Sequence, residues 1–429
     1  MKKLLLILLC FPFIGFGQGW ETTFGGTNFD IGFSVQQTND GGYIITGFTT
    51  PGNGKDDVYL IKTDGSGNEL WSKTFGGTNF DEGRSVQQTT DGGYIITGET
   101  NSFGNGNYDV YLIKTDGSGN ELWSKTFGGL EYDEGCSVQQ TTDGGYIITG
   151  QTSSFGNGLR DVYLIKTDGS GNELWSKTFG GLEDDESRSV QQTTDGGYII
   201  TGKTGSFGNA DVWLIKTDGS GNEIWSKTFG GNSYDGGNSV QQTFDGGYVI
   251  IGYGDSFGNG DTYLIKTDSN GNELWSKTFG GTGAGTDNGH SVQQTSDGGY
   301  IITGSTTSLV GDGYDDVYFI KTDGSGNELW SKTFGGSEID VGYCVQQTSD
   351  GGYIITGEKR SLGNSEADVY LIKTNGSGNV TSTFKIPINP NRKLEKTVDL
   401  LGKESKPQKN IPFIEIYDDG TVEKKITID

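Results

Sequence analysis

Few residues of this chain offer catalytic chemistry, since its 429 residues include a single histidine, His290. With one histidine, the sequence points to neither a Ser-His-Asp relay nor a histidine-based zinc site. Two carboxylates would serve a glycosidase, but nothing singles out one acid of raised pKa among the 56 Asp and Glu residues. No glycine loop follows a strand and opens a helix, so the 76 glycines do not indicate a nucleotide site. The sequence therefore predicts no enzyme.

The residue types best suited to binding fall at one repeated position, directly before a Ser-Val or Cys-Val pair. Six types occupy its seven places, while the adjacent positions hardly change: Phe33, Arg84, Cys136, Arg188, Asn238, His290 and Tyr343. Charged and aromatic side chains suit a polar or sugar-like ligand. We expect these residues to form a ligand-binding ring whose two arginines are exposed and can hold one carboxylate. Drift at an exposed position is the alternative interpretation.

An aspartate lies three positions upstream of each ring residue: Asp30, Asp81, Asp133, Asp185, Asp235, Asp287 and Asp340. Seven carboxylates near one channel mouth would suit a hard cation such as Ca²⁺, the one cofactor this sequence suggests. The alternative is an Asx-turn in which each Asp bonds its own backbone, and identical residues in every unit favour that local role. The repeated turn D-G-S-G-N-E lacks the sixth-position glycine of an EF-hand and is interpreted as a bulged hairpin turn.

These positions belong to an internal repeat. WSKTFGG recurs from Trp71, Trp123, Trp175, Trp225, Trp275 and Trp330 at spacings of 50 to 55 residues, after the variant WETTFGG from Trp20. One unit contains four strand-length runs, SVQQT, GYIITG, DVYLIKT and ELWSKTF, which we name strands A to D. Glycine-containing turns join A to B and C to D. The sequence therefore indicates seven units of about 52 residues.

Four-stranded antiparallel sheets at this repeat length are typical of a β-propeller, in which neighbouring blades bury both faces of each sheet. A β-solenoid is the alternative, but its coils are usually shorter and lack the double hairpin. We predict an all-β, seven-bladed β-propeller of four-stranded antiparallel blades over residues 19–384. The paired glutamines of strand A, such as Gln87 and Gln88, should bond between blades.

Ring closure and a recognition face also follow from the repeat. A lone D-type strand, Trp20–Phe24, precedes seven A-B-C sets, whereas VTSTF replaces the last expected D strand. The N-terminal strand should therefore complete the seventh blade and remove an open edge. The A–B and C–D turns hardly vary, while the D–A and B–C loops differ between units and share the opposite face. Recognition is expected on that variable face.

The order of residues resembles kelch-type blades, with a glycine pair near the second strand, Tyr59, Tyr111 and Tyr163 in the third, and Trp in the fourth. Over residues 20 to about 384 the chain is also similar to repetitive propeller proteins secreted by Bacteroidetes-type bacteria. This resemblance implies a secreted propeller.

Residues 1–18 read MKKLLLILLCFPFIGFGQ, the layout of a secretory signal peptide with cleavage near Gln18. The apolar run is too short for an anchor and no stop-transfer pattern follows, so no transmembrane segment is expected in the mature chain. The leucines before Cys10 fit a lipoprotein site poorly. Cys136 and Cys344 lie at different offsets in non-adjacent units, which disfavours a disulfide.

Residues 385–429 form a separate tail that holds four of the six prolines. Its strand-like runs at 412–417 and 422–428 predict a short β-hairpin around Asp418, Asp419 and Gly420. NPN, DLLGKE and IYDDGTVEKKI resemble C-terminal sorting signals of type IX secretion. That resemblance implies a partner, the type IX machinery, and a place outside the outer membrane or on its surface. A hairpin that caps the propeller is the alternative.

The charge excludes one class of partner. The formal charge is −25; the tail has nine basic and eight acidic residues and the leader adds two lysines, so the blades carry −28. Such acidity excludes nucleic acid. We predict a secreted or cell-surface, non-catalytic binding or adhesion propeller that holds a glycan or protein on its D–A and B–C loop face. The alternative is an extracellular polysaccharide hydrolase or lyase on the same scaffold.

Overall fold

A computed structural model describes residues 19–52, 54–207, 209–256, 260–281, 285–309, 314–360, 366–380, 393–398, 406, 413–417 and 422–425. The predicted leader, residues 1–18, lies outside these ranges. The chain divides into two compact units, Met1–Thr381 and Ser382–Asp429. None of the described residues belongs to a helix long and apolar enough to cross a bilayer.

The first unit consists of seven four-stranded antiparallel sheets, numbered blades 1 to 7 in the order of their A strands. Each A strand begins at an aspartate: β2 (Asp30–Gln37), β6 (Asp81–Gln88), β10 (Asp133–Gln140), β14 (Asp185–Gln192), β18 (Asp235–Gln242), β22 (Asp287–Gln294) and β26 (Asp340–Gln347). Each B strand begins at a tyrosine: β3 (Tyr43–Thr49), β7 (Tyr94–Thr100), β11 (Tyr146–Thr152), β15 (Tyr198–Thr204), β19 (Tyr248–Gly254), β23 (Tyr300–Thr306) and β27 (Tyr353–Arg360).

The two outer strands of each blade, C and D, also recur once per blade. The C strands are β4 (Asp57–Thr63), β8 (Asp109–Thr115), β12 (Asp161–Thr167), β16 (Asp211–Thr217), β20 (Asp261–Thr267), β24 (Asp316–Thr322) and β28 (Ala367–Thr374). The D strands are β1 (Trp20–Phe24), β5 (Glu69–Phe75), β9 (Glu121–Phe127), β13 (Glu173–Phe179), β17 (Glu223–Phe229), β21 (Glu273–Phe279) and β25 (Glu328–Phe334). The predicted all-β propeller of seven four-stranded blades is confirmed.

The predicted closure of the ring is also confirmed. In blade 7, β1 pairs with β28 as the outermost strand, and Trp20 lies opposite Lys373. The two ends of the propeller sequence therefore share one sheet, which leaves the seventh blade as complete as the others.

The tail contains the predicted hairpin and one strand more. The second unit contains a three-stranded antiparallel sheet of β29 (Leu394–Val398), β30 (Phe413–Tyr417) and β31 (Val422–Lys425). The hairpin of β30 and β31 was predicted, but β29 was missed because its run, LEKTV, is short, half charged and distant in sequence from its partner. The predicted turn at Asp418, Asp419 and Gly420 lies outside the described residues.

The core lies between blades and not within them. Strands B and C are buried along nearly their whole length because both of their faces are covered by neighbouring sheets. One core cluster joins Leu60 of blade 1 to Tyr94 of blade 2. Another crosses the closure and joins Phe24 of blade 7 to Tyr43 of blade 1. Because each cluster is built from two blades, no blade can bury its apolar surface alone.

Side-chain amides join the inner strands into a closed belt. In every blade the Oε1 atom of the first strand A glutamine accepts a hydrogen bond from a backbone N–H of the next blade, at 2.5–3.0 Å. The seven acceptors are Gln36, Gln87, Gln139, Gln191, Gln241, Gln293 and Gln346. The first six accept from blades 2 to 7, and Gln346 of blade 7 accepts the N–H of Gln37 in blade 1. This belt confirms the predicted bonding between blades.

A second belt runs in the opposite sense. The Oε1 atom of each second glutamine accepts the N–H of a turn residue in the preceding blade at 2.8–2.9 Å, as Gln88 does from Asn39. The strand A hydroxyls add bonds of the same kind, such as Ser34 to the N–H of Val86. In blade 7 the equivalent residue is Cys344, a free thiol that lies 3.7 Å from the carbonyl of Val35.

Each outer tryptophan covers the C–D turn of the next blade. The glycine at the centre of that turn has a φ between +72° and +79°, and a Cβ atom there would meet the indole ring at 2.5–2.6 Å. The seven contacts are Trp20 on Gly67, Trp71 on Gly119, Trp123 on Gly171, Trp175 on Gly221, Trp225 on Gly271, Trp275 on Gly326 and Trp330 on Gly378. In blades 1 to 6 the register between strands C and D shifts by one residue at the end of strand C, which supports the predicted bulged hairpin.

We expect Gln139→Leu to lower the free energy of unfolding by about 1–3 kcal/mol, since it leaves the N–H of Gln192 without its acceptor. Gln139→Glu retains an oxygen acceptor and should cost less. Urea unfolding of the two variants and the parent would measure both effects. Equal stability of the leucine variant and the parent would contradict a structural role for the belt.

Candidate functional site

Each ring residue lies on a β-bulge. In all seven blades the register of strands A and B shifts by one residue at the ring position, as between Gly32 and Ser34. The unpaired residue in blade 1 is Phe33. Opposite the bulge lies Gly47, where a Cβ atom would stand 1.7 Å from the carbonyl oxygen of Ile31. A bulge turns one side chain out of the regular pleat. The backbone of the bulged strand leaves no room for a Cβ atom on strand B, so the ring residue can take this position only because the opposite residue, in YIITG, is glycine.

The structure brings all seven ring residues together. They line one pocket of about 630 Å³ that also contains Glu134, Glu186, Lys203, Tyr253 and Asp255. A narrower channel of about 240 Å³ is lined by the Ser, Val and Gln residues of the seven A strands. Because the ring residues precede those channel residues on each strand, the pocket is the mouth of the channel on the side of the D–A and B–C loops.

Two further variable positions, which the sequence reasoning missed, contribute to the mouth in blades 3 to 6, where Glu134, Glu186, Lys203, Gly236, Tyr253 and Asn288 line the pocket. They are the residue after the strand A aspartate and the residue after the strand B glycine, which lie directly opposite each other. The pairs are Ile31 with Phe48, Glu82 with Glu99, Glu134 with Gln151, Glu186 with Lys203, Gly236 with Tyr253, Asn288 with Ser305, and Val341 with Glu358. Comparing the repeats at these two positions would have found them, since the neighbouring positions hardly change.

Arg84 is enclosed by carboxylates. Its Nη2 atom lies 3.0 Å from both Glu82 and Glu99, and its Nε atom lies 3.1 Å from Glu134. The side chains of Glu99 and Glu134 are 6% and 4% exposed, and Tyr132 donates its hydroxyl to Glu99 at 2.6 Å. Arg84 lines the pocket but is only 27% exposed, so the prediction of an exposed arginine is wrong, while its binding of a ligand carboxylate stays a prediction. Its guanidinium is already paired with two carboxylates of its own blade, Glu82 and Glu99, and with Glu134 of the next blade.

The protonation of this cluster differs from that of free side chains. Burial, with the nearby charges of Glu99 and Glu134, raises the pKa of Glu82 to about 7, although Arg84 opposes the shift. Burial alone would lower the pKa of Arg84, but the three carboxylates outweigh it and raise that pKa. Burial also raises the pKa of the Cys136 thiol, which is therefore neutral at pH 7.

Arg188 has a more open environment. Its side chain is 44% exposed, against 27% for Arg84, and its Nη2 atom lies 3.1 Å from Glu186. Glu186 is shared with two further cations, at 2.8 Å from Nη1 of Arg160 and 3.5 Å from Nζ of Lys203. Arg188 is thus the ring arginine that the structure leaves exposed to the pocket.

Aromatic rings form another part of the wall. The ring centroid of Tyr343 lies 5.2 Å from that of Phe33 and 5.4 Å from that of His290. The guanidinium of Arg84 lies 4.6 Å from the centroid of Phe33. Asn238 donates to the backbone carbonyl just before His290 at 2.9 Å. Burial, with Arg188, lowers the pKa of His290 to about 4, so this imidazole is neutral at pH 7 and adds to the aromatic surface.

The strand A aspartates have local partners. All seven accept the N–H of the second glycine of the preceding FGG, at 2.8–2.9 Å in six of them, as Asp81 does from Gly77, and at 3.2 Å in Asp287. Several also accept a serine hydroxyl from the B–C loop at 2.6 Å. Among the described residues, no group of three or more His, Cys, Asp or Glu side chains is arranged to hold a metal ion. The geometry matches the Asx-type alternative, in which each aspartate ties two loops to its own blade.

Comparison with known proteins adds little beyond the architecture. No family model matches the chain. The regulatory protein FlaEY of Caulobacter vibrioides is 25% identical over an alignment of 222 residues that covers 43% of this chain and 23% of that protein. A crystal structure of Sqt1 from Chaetomium thermophilum is 12% identical over 95% of this chain and 100% of its own, with a TM-score of 0.48. Sqt1 bound to the N-terminus of ribosomal protein L10 is 13% identical over 94% and 98%, with a TM-score of 0.47.

The closed ring of blades and the single mouth of variable residues define the class. The chain is a seven-bladed β-propeller repeat protein whose scaffold fits a binding role. Its blades are held by repeated contacts, and its seven ring residues line one pocket.

The two ring arginines should respond differently to substitution. We expect Arg84→Gln to lower the free energy of unfolding by roughly 3 kcal/mol, because it leaves buried Glu99 and Glu134 without their cation. Arg188→Gln should cost at most about 1 kcal/mol, since Glu186 keeps Arg160 and Lys203. Unfolding midpoints of the single variants would test this. Equal losses in both would show that the difference in burial has no energetic consequence.

Proposed function

We propose that this chain is a non-catalytic binding or adhesion propeller that holds a glycan or protein ligand at the mouth on its D–A and B–C loop face. One observation carries the proposal: the variable ring residue of every blade lines one pocket of about 630 Å³, together with further variable residues of blades 3 to 6, while the residues that hold the blades together repeat almost unchanged. On a repeated scaffold, variation confined to one concave surface is typical of recognition.

The chemistry of the pocket supports binding over catalysis. His290, with a pKa near 4, is a poor general base at neutral pH. Glu82, with a pKa near 7, has the protonation of a general acid. Its carboxylate is nevertheless paired with Arg84, and its neighbour Glu134 accepts the amide of Gln151 at 2.7 Å. Carboxylates committed to such partners are not arranged to flank a glycosidic bond.

The proposed setting is extracellular. Its support is the leader-like segment 1–18, the resemblance of the blades to kelch-type and secreted Bacteroidetes-type propellers, and the resemblance of the tail to type IX sorting signals. Under this proposal the type IX machinery is a partner through residues 385–429, and the mature protein is released or held at the outer-membrane surface.

Binding and turnover can be separated in one experiment. We expect the protein to retain at least one ligand on an array of glycans and extracellular proteins, without shortening any polysaccharide. Tyr343→Ala should abolish most of that binding because it opens the aromatic wall between Phe33 and His290. Leu274→Ala, which removes a side chain 58% exposed on outer strand β21, is the control. Polysaccharide cleavage at catalytic rates would support the hydrolase or lyase instead.

Export is tested by removing the tail. Deletion of residues 385–429 should leave a folded propeller in the cell envelope, because the blades form a compact unit of their own. Cell fractions and culture medium would be compared by immunoblot for the full-length and shortened chains. Unchanged export of the shortened chain would refute the sorting role of the tail.

A further inference from the structure

We propose that the ligand of the mouth is a glycan chain in which an isolated uronic acid lies between neutral sugars, with its carboxylate on Arg188 and Lys203. This inference rests on the proposed binding function and narrows its ligand class. It begins from an unusual charge distribution: the blades carry −28 formal charges, yet Arg160, Arg188 and Lys203 gather around one carboxylate, Glu186.

The geometry leaves donors of Arg188 facing the pocket. Its Nη2 atom is 3.1 Å from Glu186, and its side chain is 44% exposed. Glu186 is itself 4% exposed and shared among three cations, and a second carboxylate, Asp184, lies 3.4 Å from Nε of Arg160, so two carboxylates face three cations. A guanidinium with open N–H groups matches the planar, two-oxygen face of a carboxylate. Arg84, the other ring arginine, offers no such site because three carboxylates enclose it.

Lys203 connects the mouth to a second cavity. A groove of about 740 Å³ lies on the loops of blades 4 and 5, and Lys203 lines both the groove and the pocket. Tyr234, which is 67% exposed, lines the groove farther along the same loops. A ligand that fills both cavities must be an extended chain that passes Lys203.

The neighbouring charges restrict how acidic that chain can be. The groove is lined by Glu183 and Asp184, and the pocket that contains Arg188 is also lined by Asp255. A carboxylate on every sugar would meet these acids and the general field of the blades. One carboxylate at Arg188 and Lys203, with neutral sugars on either side, avoids the repulsion.

The residues that line the pocket favour a sugar over a peptide as the ligand. The Tyr343 ring, between Phe33 and His290, and the Tyr253 ring, which lies over Gly236, present aromatic faces on which a sugar ring can pack. Asn238 and Asn288 also line the pocket and offer both donors and acceptors, as hydroxyl groups require. An extended peptide would need free strand edges, and here the inner strand edges are bonded from blade to blade.

The test uses three kinds of oligosaccharide and calorimetry on the full chain. The alternating probes are a hyaluronan tetrasaccharide and an unsulfated chondroitin tetrasaccharide, in which uronic acids alternate with neutral sugars; the comparison probes are their methyl esters and tetragalacturonate. We expect at least one alternating probe to bind, with at least tenfold weaker binding of its ester, which has lost the charge, and weaker binding of tetragalacturonate. Arg188→Gln should weaken binding at least tenfold and Lys203→Gln severalfold.

Lys227→Gln on outer strand β17 of the same blade removes one positive charge away from the pocket and should leave the affinity unchanged. Equal affinity for acid and ester, an unaffected Arg188→Gln variant, or no binding of either alternating probe at millimolar concentration would overturn the inference. Binding of a peptide that competes at the mouth in place of the sugars would do the same. A neutral glycan or protein that binds and is released by Tyr343→Ala would overturn this inference while leaving the proposed function intact.

Discussion

The closed ring depends on glutamine side chains at its centre. Their amide oxygens accept backbone N–H groups of neighbouring blades, where no further strand pairs with the inner strands. Seven inner strands converge there, each with an edge that no fifth strand covers, and unpaired N–H groups at such an edge are costly. The oxygens of Gln36 and its six equivalents accept the backbone N–H of the next blade, and the second glutamine of each strand accepts one from the blade before. Because each bond joins consecutive blades and the last returns to the first, the belts are complete only when seven blades close the ring.

This constraint explains why the repeat is so uniform and where it is free to vary. The glutamines, the interblade apolar clusters and the tryptophan contacts each involve residues of two blades, so a change in one blade would need a matching change in the next. At the mouth, by contrast, some variable residues have their partner directly across the same blade. Glu186 with Lys203 and Gly236 under the ring of Tyr253 are such pairs. Variation can therefore accumulate there without disturbing the ring.

Arg84 shows the limit of that freedom. It draws Glu82 and Glu99 of its own blade and Glu134 of the next into one cluster, so part of the mouth is structural although its residues vary. Arg188 occupies the equivalent bulge two blades away and remains half exposed, because its carboxylate is shared with Arg160 and Lys203. Identical residues at equivalent positions thus differ in role according to the charges their neighbouring blades supply.

The sequence by itself determined the strands, the number of blades, the closure by Trp20–Phe24 and the ring position, since strand alternation, turn glycines and the repeat are local patterns that recur along the chain. It also indicated the bonding of the strand A glutamines. Only the tertiary structure decided that the ring residue lies on a bulge opposite Gly47, that Arg84 is enclosed while Arg188 is open, and that β29 joins the tail sheet. Each of these outcomes depends on residues distant along the chain, whose proximity exists only after the sheets have paired and the blades have packed.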